Sequence, residues 1–293
     1  MKILNGFKMP KNLKSTKKWL YFVILGLFIW SYLIEPRWVA HREISLSQTG
    51  VASSSTHGLK VVLTSDWHFS KRAWWRVMTI ARARQIVAEI NASQPDVIII
   101  AGDLIADRDY KPTIAETAPE EIALVLGELK AKHGVFVTLG NHDWWFDGAA
   151  FTQALQTQGL IVLENKSQKI HGLDLWLTGF GDALTGHEDP KLALASLPKN
   201  APAIIAMHDP GTLKKIPANW HNPNTIFVAG HTHGGQVYLP FYGAPVVPAT
   251  GPRDWAYGWV SYLEKRMYVT SGLGVSILPI RFNMRPEWVT FTL

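Results

Sequence analysis

Residues 135–143 read VFVTLGNHD, an apolar run that changes abruptly into a glycine followed by three polar side chains. β-branched and aromatic residues of this kind favour a buried strand, and the glycine marks the point where the strand ends. The same change follows residues 97–100, which lead into Gly102 and Asp103. We therefore predict a fold built from strands that each end in a polar loop.

Three further apolar runs end in aspartate or histidine. They are residues 59–63 before Asp66 and His68, 203–206 before His208, and 225–228 before His231 and His233. We also predict strands at 173–177, 267–269 and 289–293, and helices at 74–90, 120–129 and 149–155. Strands that alternate with helices predict an α/β fold, and the loops after its strands are where ligands bind.

The side chains in these loops form a donor set typical of a site for two divalent metal ions. Carboxylate, amide and imidazole ligands suit manganese, iron or zinc, and the chain contains no cysteine. Asp103 is the natural bridging ligand, since one carboxylate can give an oxygen to each of two ions. Each motif alone is explained equally well by a solvated loop or a capped turn, but the ordered series favours a metal site.

The N-terminal segment differs from the rest of the chain. Residues 1–18 form a basic leader with six lysines and no acid, and residues 19–34, WLYFVILGLFIWSYLI, carry no charge and predict a membrane anchor helix. Residues 35–38 lack the small side chains of a signal-peptide cleavage site. We expect a single-pass anchor in the inner (cytoplasmic) membrane, with a cytoplasmic N-terminus and an extracytoplasmic catalytic domain. A helix lying in the membrane plane would instead leave that domain on the cytoplasmic face.

The remainder is predicted to comprise a linker with an edge strand, residues 35–57, and one domain, residues 58–293. Apart from the six leader lysines, the chain has 23 basic and 23 acidic side chains. A nucleic-acid-binding domain concentrates positive charge on its folded surface, so we expect no nucleic acid as a partner. An apolar content of 47% with 18% charged residues also excludes a disordered chain.

Five motifs in a fixed order, D-x-H, G-D, G-N-H-D, His and G-H-T-H, resemble those of the calcineurin-like metallophosphoesterases. The stretches GHTHGGQVYLPFYGAP and SGLGVSILPIRFNMRPE are similar to the membrane-associated phosphodiesterase branch of that superfamily. The resemblance covers residues 58–293 and implies a four-layer αββα sandwich with two metals at one edge. It implies one metal on Asp66, His68, Asp103 and His233, and a second on Asp103, Asn141, His208 and His231.

The resemblance leaves His142 without a metal and facing the substrate, as the catalytic residue. Water activated by the metals would attack phosphorus, and His142 would protonate the leaving alkoxide. Many relatives orient this histidine with an aspartate three residues after the bridging one, where this chain has Ala106. Asp107, Asp143 or a backbone carbonyl are the alternatives.

Two further features near the motifs have two interpretations each. Arg281 is a candidate substrate ligand, since guanidinium groups bind phosphate oxygens in pairs, or else part of a structural ion pair. Trp67, Trp144 and Trp145 adjoin ligand residues and either line an apolar substrate pocket or pack in the core.

The sequence therefore predicts a binuclear phosphodiesterase that hydrolyses an envelope or lipid-linked phosphate ester and is attached to the membrane by its N-terminal helix. One alternative is a UDP-2,3-diacylglucosamine-type pyrophosphatase of lipid A synthesis, which requires access to a cytoplasmic nucleotide. Another is a non-catalytic scaffold on the same fold, but every expected ligand position is filled.

Overall fold

The computed structural model describes residues 13–47, 49–52, 55–71, 77–106 and 117–293. Its helices are α1 Leu13–Ile29, α2 Ile80–Ala92, α3 Pro119–Leu126, α4 Asn141–Thr157 and α5 Pro190–Leu194. Its strands are β1 Ala40–Ser45, β2 Lys60–Thr64, β3 Val97–Ala101, β4 Val135–Thr138, β5 Ile161–Val162, β6 Lys166–Lys169, β7 Trp176–Gly179, β8 Ala203–Met207, β9 Thr225–Ala229, β10 Gly258–Tyr262, β11 Lys265–Val269 and β12 Glu287–Thr292.

Two six-stranded sheets pack face to face. Their strand orders are β1-β12-β2-β3-β4-β5 and β10-β11-β9-β8-β7-β6. Helices α2, α3 and α4 cover the outer face of the first sheet, and α5 with the 3-10 turn Pro210–Lys215 packs on the outer face of the second. The predicted four-layer αββα sandwich is thereby confirmed.

Strand β3 shows why these strands read as continuous apolar runs. Its side chains alternate between two buried faces. Val97 and Ile99 face the second sheet, whereas Ile98 and Ile100 pack against the helices. A strand covered on both sides has no face on which polar residues are needed.

Strand direction brings the polar loops together. Strands β2, β3 and β4 are parallel to one another, as are β8 and β9 in the second sheet. Each of these five strands is followed by candidate ligands. Their carboxyl ends meet at one edge of the sandwich, which is where the site is found.

The N-terminal helix continues from α1 through a π-helical turn, Trp30–Ile34, and a 3-10 turn, Glu35–Arg37. By length and composition, the stretch Lys18–Arg37 is apolar enough to cross a membrane, with a mean hydropathy of 1.5. The predicted anchor, residues 19–34, falls within it. Most of the predicted basic leader, residues 1–12, lies outside the described residues.

The end of this helix contacts the domain directly. The carbonyl oxygen of Ser31 accepts a hydrogen bond from the backbone N–H of Arg281, at 2.9 Å. The buried carboxylate of Glu35 accepts from the backbone N–H of Met284, at 2.6 Å, and from the indole of Trp30. The helix end is therefore held against the segment that contains Arg281.

Two predicted helices begin elsewhere than expected. The helix predicted at 74–90 starts at Ile80, where the hydroxyl of Thr79 accepts the N–H of Arg82, and residues 72–76 lie outside the described part. The helix predicted at 149–155 forms only the second part of α4, which begins earlier, at Asn141, and is interrupted at Asp147, where the backbone is not helical (φ −173°, ψ 90°). The G-N-H-D motif is thus the first turn of α4, because Asp143 accepts the N–H of Gly140 and caps that turn.

Candidate metal centre

All seven predicted metal ligands lie together at the edge of the sandwich where the five strands end. Each is less than a tenth exposed, which is unusual for such polar side chains unless they are paired or bind a ligand. The six aspartate and histidine ligands, together with His142, form three overlapping groups of three, each with ligand atoms within 4.8 Å of one another. The structure thus brings together every residue that the motifs singled out as a ligand.

The first half of the site contains Asp66, His68 and His233. The Nε2 atoms of the two histidines face each other at 3.1 Å, and Asp66 Oδ1 lies 3.4 Å from His233 Nε2 and 3.8 Å from His68 Nε2. Two imidazole nitrogens at this separation need a proton or a cation between them. Imidazole and carboxylate groups arranged in this way fit one divalent metal ion.

The second half repeats the arrangement with His208, His231 and Asn141. His208 Nε2 lies 3.1 Å from His231 Nδ1 and 3.2 Å from Asn141 Oδ1. The opposite nitrogen of His208, Nδ1, donates to the carbonyl oxygen of Ala101 at 2.7 Å. This hydrogen bond fixes the tautomer that leaves Nε2 available to a metal ion.

Asp103 lies between the two halves. Its Oδ2 is 3.4 Å from His68 Nε2 and 3.2 Å from His208 Nε2. Burial alone would raise the pKa of Asp103, but the neighbouring His208 and His142 hold it well below its usual range. An ionised carboxylate in this position fits the predicted bridge between two cations.

The backbone of the site is strained at five of the seven predicted ligands. Left-handed φ values between 49° and 68° occur at Asp66, His68, Asp103, His231 and His233. Each such residue costs free energy of about 1–3 kcal/mol, and strain of this kind concentrates at functional sites. The strained residues lie in three loops, after β2, β3 and β9, and their side chains converge on one point.

Two glycines allow the loops to approach this closely. A Cβ atom on Gly140 would lie 2.3 Å from Asp103 Oδ1, and one on Gly102 would lie 2.6 Å from His208 Nδ1. Gly102 also adopts a left-handed φ of 83°. Neither position can hold a side chain while the ligands keep their places.

The predicted catalytic residue, His142, lies at the rim of this cluster and is 6% exposed. Its Nδ1 donates to the carbonyl oxygen of Ala106 at 3.0 Å. Asp143 is engaged elsewhere, since it accepts the N–H groups of Leu104, Ile105 and Gly140. Of the three alternatives for orienting His142, the structure shows the backbone carbonyl, and Asp107 lies outside the described residues.

Arg281 occupies a different position from the one its predicted role requires. It is fully buried, and its guanidinium donates to the carbonyl oxygens of Ser271, Gly274 and Met284. Its Nη2 also lies 3.3 Å from Nδ1 of His233. The predicted contact with substrate does not fit this position, because the guanidinium is enclosed and supports a ligand from behind.

The three tryptophans near the ligands divide between the two interpretations. Trp67 is fully buried and stacks on Phe69 in the core. Trp144 is partly buried and stacks on His187. Trp145 is exposed, with its ring 5.2 Å from that of His142, so it is the one placed to line a substrate pocket.

A model of the calcineurin-like phosphoesterase family matches residues 59–235, more than half of the chain. The protein belongs to this family. It is accordingly a metal-dependent hydrolase of the metallophosphoesterase type, and members of this family use two divalent metal ions. The clustered aspartates and histidines supply suitable ligands for them.

Curated relatives match almost the whole chain. The metallophosphoesterase YkuE of Bacillus subtilis is 29% identical over 92% of this chain and 90% of its own length. Phosphodiesterase YaeI of Escherichia coli is 25% identical over 89% of this chain and 90% of its own. A transmembrane protein with a metallophosphoesterase domain from Danio rerio is 28% identical over 82% of this chain but only 54% of its own length.

The sequence analysis missed an acidic side chain behind the ligands. Glu164 is partly buried and accepts the backbone N–H of Leu139, at 2.8 Å, at the start of the G-N-H-D turn. Burial raises the pKa of Glu164 to about 8. The signal was available, since Glu164 follows strand β5 as Asp103 follows β3, but no motif marked it.

We expect Asp103→Asn to remove both metals, whereas Asp66→Asn should mainly remove one. Asp103 faces both halves of the site and Asp66 only the first, and an amide keeps the shape but loses the charge. The measurement is metal content per chain by mass spectrometry after dialysis. His221→Ala, at an exposed histidine, is the control. Two retained metals in Asp103→Asn would contradict the shared-ligand geometry.

We expect Glu164 to make the metal-free protein less stable as the pH rises. A carboxyl group with a higher pKa in the folded than in the unfolded state binds extra protons when folded. The free energy of unfolding therefore falls as the pH rises from the unfolded-state pKa to the folded-state pKa. Relative to Glu164→Gln, the wild type should lose about 1.4 kcal/mol of unfolding free energy per pH unit between pH 5 and 8. Denaturant unfolding with chelator measures this loss.

The matched control is Glu120→Gln at an exposed position, which keeps Glu164 and should therefore lose stability with rising pH just as the wild type does. A wild-type protein whose stability parallels that of Glu164→Gln across this range would contradict the raised pKa.

Proposed function

We propose that the protein is a membrane-anchored binuclear phosphodiesterase that acts on an envelope or lipid-linked phosphate ester. The observation that carries this proposal is the Asp103 carboxylate lying between two sets of histidines. One metal is assigned to Asp66, His68, Asp103 and His233, and the second to Asp103, Asn141, His208 and His231. Manganese, iron and zinc all suit these ligands.

When bound by these residues, two divalent metals would supply activation of a water molecule and neutralisation of negative charge on the phosphoryl oxygens. The chain itself supplies the proton for the leaving group. Because Nδ1 of His142 donates to Ala106, Nε2 of the protonated ring is the atom that gives a proton to the leaving oxygen. The hydrogen bond from the backbone N–H of His142 to Asp103 Oδ1, at 2.9 Å, keeps this residue beside the metal ligands.

The preference for a diester rests on similarity. YaeI, which matches 89% of the chain, carries the name phosphodiesterase. A membrane substrate is favoured by the apolar helix, whose end hydrogen-bonds to the segment containing Arg281. The relative from Danio rerio is likewise named a transmembrane protein.

We expect His142→Ala to impair hydrolysis in proportion to how poor the leaving group is. Loss of a general acid costs about 10²–10⁴-fold in kcat when an alkoxide leaves, and much less when p-nitrophenolate leaves. The measurement compares glycerophosphocholine with bis-p-nitrophenyl phosphate as substrates. Equal losses on both would contradict the role as an acid.

His171→Ala, which alters an exposed histidine away from the site, is the matched control and should change neither rate. Unchanged metal content in His142→Ala separates a loss of proton transfer from a loss of the metals.

We expect a reporter fused after Leu293 to lie outside the cytoplasm. The leader lysines retain the N-terminus on the cytoplasmic side, so a single span exports the domain. A fused alkaline phosphatase should be active, and a fluorescent protein that folds only in the cytoplasm should stay dark. The opposite pattern would show that the helix lies in the membrane plane or spans it in reverse.

A further inference from the structure

An apolar cavity of about 280 Å³ lies directly beside His233. It is formed by residues of two segments, 232–248 and 276–280, and its walls include Val237, Val246 and Ile280. Among the described residues that line it, none is an acid, a lysine or an arginine. A space of this composition beside a phosphoesterase site fits an apolar part of a substrate rather than its phosphate.

The mouth of the cavity exposes apolar side chains, which we call the apolar rim: Val246, Ile277 and Leu278. Each is more than half exposed. The segment that contains Val246 also carries Phe241, whose side chain is fully exposed. Grouped apolar side chains of this kind mark a surface that contacts a membrane or another apolar partner.

Ile277 is held in this exposed position at an energetic cost. Its φ of 58° is left-handed, which is rare for a β-branched residue. The N–H of Leu278 donates to the carbonyl oxygen of Ser276, closing a three-residue turn around Ile277. The amide of Gln236 fixes both sides of the turn, since it accepts the N–H of Ser276 and donates to Leu278. Strain that neighbouring groups maintain is a feature of ligand sites.

The cavity wall is joined to the end of the N-terminal helix. The backbone N–H of Phe282 donates to Gln236, and its carbonyl accepts from Tyr238, both at 2.8 Å. The backbone N–H of the preceding residue, Arg281, donates to the carbonyl oxygen of Ser31 at the end of the N-terminal helix. The cavity therefore lies close to where the apolar helix meets the domain, which is where a bilayer surface would be.

We propose that this cavity binds an acyl chain of a membrane lipid whose phosphodiester is hydrolysed at the adjacent metal site. The inference rests on the function proposed above. An acyl chain needs no hydrogen-bonding partners, whereas a peptide in the same space would leave its backbone groups unpaired. The apolar rim then contacts the lipid surface, and the chain passes between Val246 and Ile277 toward His233.

The experiment uses the full-length protein in phospholipid vesicles with two diesters that share the p-nitrophenyl leaving group. One carries a methyl group and the other a dodecyl chain. Val246→Trp places a bulky ring at the mouth of the cavity, and it should lower hydrolysis of the dodecyl diester at least tenfold more than that of the methyl diester. Ile277→Glu should act similarly by placing a charge at the mouth. Leu124→Trp, at an exposed site on α3, should alter neither rate.

A second readout does not depend on catalysis. A phospholipid with a photoreactive diazirine in its acyl chain is irradiated in the same vesicles, and the labelled peptides are identified by mass spectrometry. We expect label on residues 235–248 and 276–280 of the wild type, and at least tenfold less in Val246→Trp. Metal content confirms that the variants are folded.

The two readouts separate the two proposals. Label confined to residues 19–34, or equal cavity label in wild type and Val246→Trp, would overturn the acyl-chain site. A larger loss of hydrolysis for the dodecyl diester than for the methyl diester, together with loss of the cavity label, supports the acyl-chain site. If the cavity is labelled and Val246→Trp abolishes the label while neither diester is hydrolysed, the acyl site stands and the phosphodiesterase function fails.

Discussion

The carboxylate of Asp103 is the group on which the rest of the site depends. Its Oδ2 lies within 3.4 Å of histidine nitrogens from both halves of the site, and its Oδ1 accepts the backbone N–H of His142. A buried carboxylate is tolerated only where positive charge and hydrogen bonds surround it. Central strand β3 delivers it to the point where both sheets end, and the left-handed loops then bring the opposing ligands to it.

Much of this arrangement follows from residue types alone. The apolar run of β3 predicts its burial between two layers, and aspartate, asparagine and histidine after successive strands predict the metal ligands. The sequence left three alternatives for the partner of His142, because a backbone carbonyl such as that of Ala106 has no side-chain signature. The position of Arg281 was not predictable either, since its burial depends on packing by glycine-rich segments distant in sequence from the metal motifs.

Behind the ligands lies a second set of residues that are not themselves metal ligands. Glu164 holds the N–H of Leu139, Asp143 caps the turn that presents Asn141, and Arg281 fills the space behind His233. Such partners orient ligands and set their protonation, and their removal alters a metal site without removing a ligand. They explain why a site drawn from five loops keeps one geometry despite strained backbone at most of its ligands.

The contact between the N-terminal helix and the domain bears on how the protein is handled in the laboratory. A soluble form that begins after Arg37 lacks the carbonyl of Ser31 and the carboxylate of Glu35. The backbone N–H groups of Arg281 and Met284 then lose their acceptors. Arg281 follows Ile280, which lines the cavity, and its guanidinium lies 3.3 Å from His233. A form that keeps residues 31–37 keeps both acceptors, so rates from shortened and longer forms describe two differently supported sites.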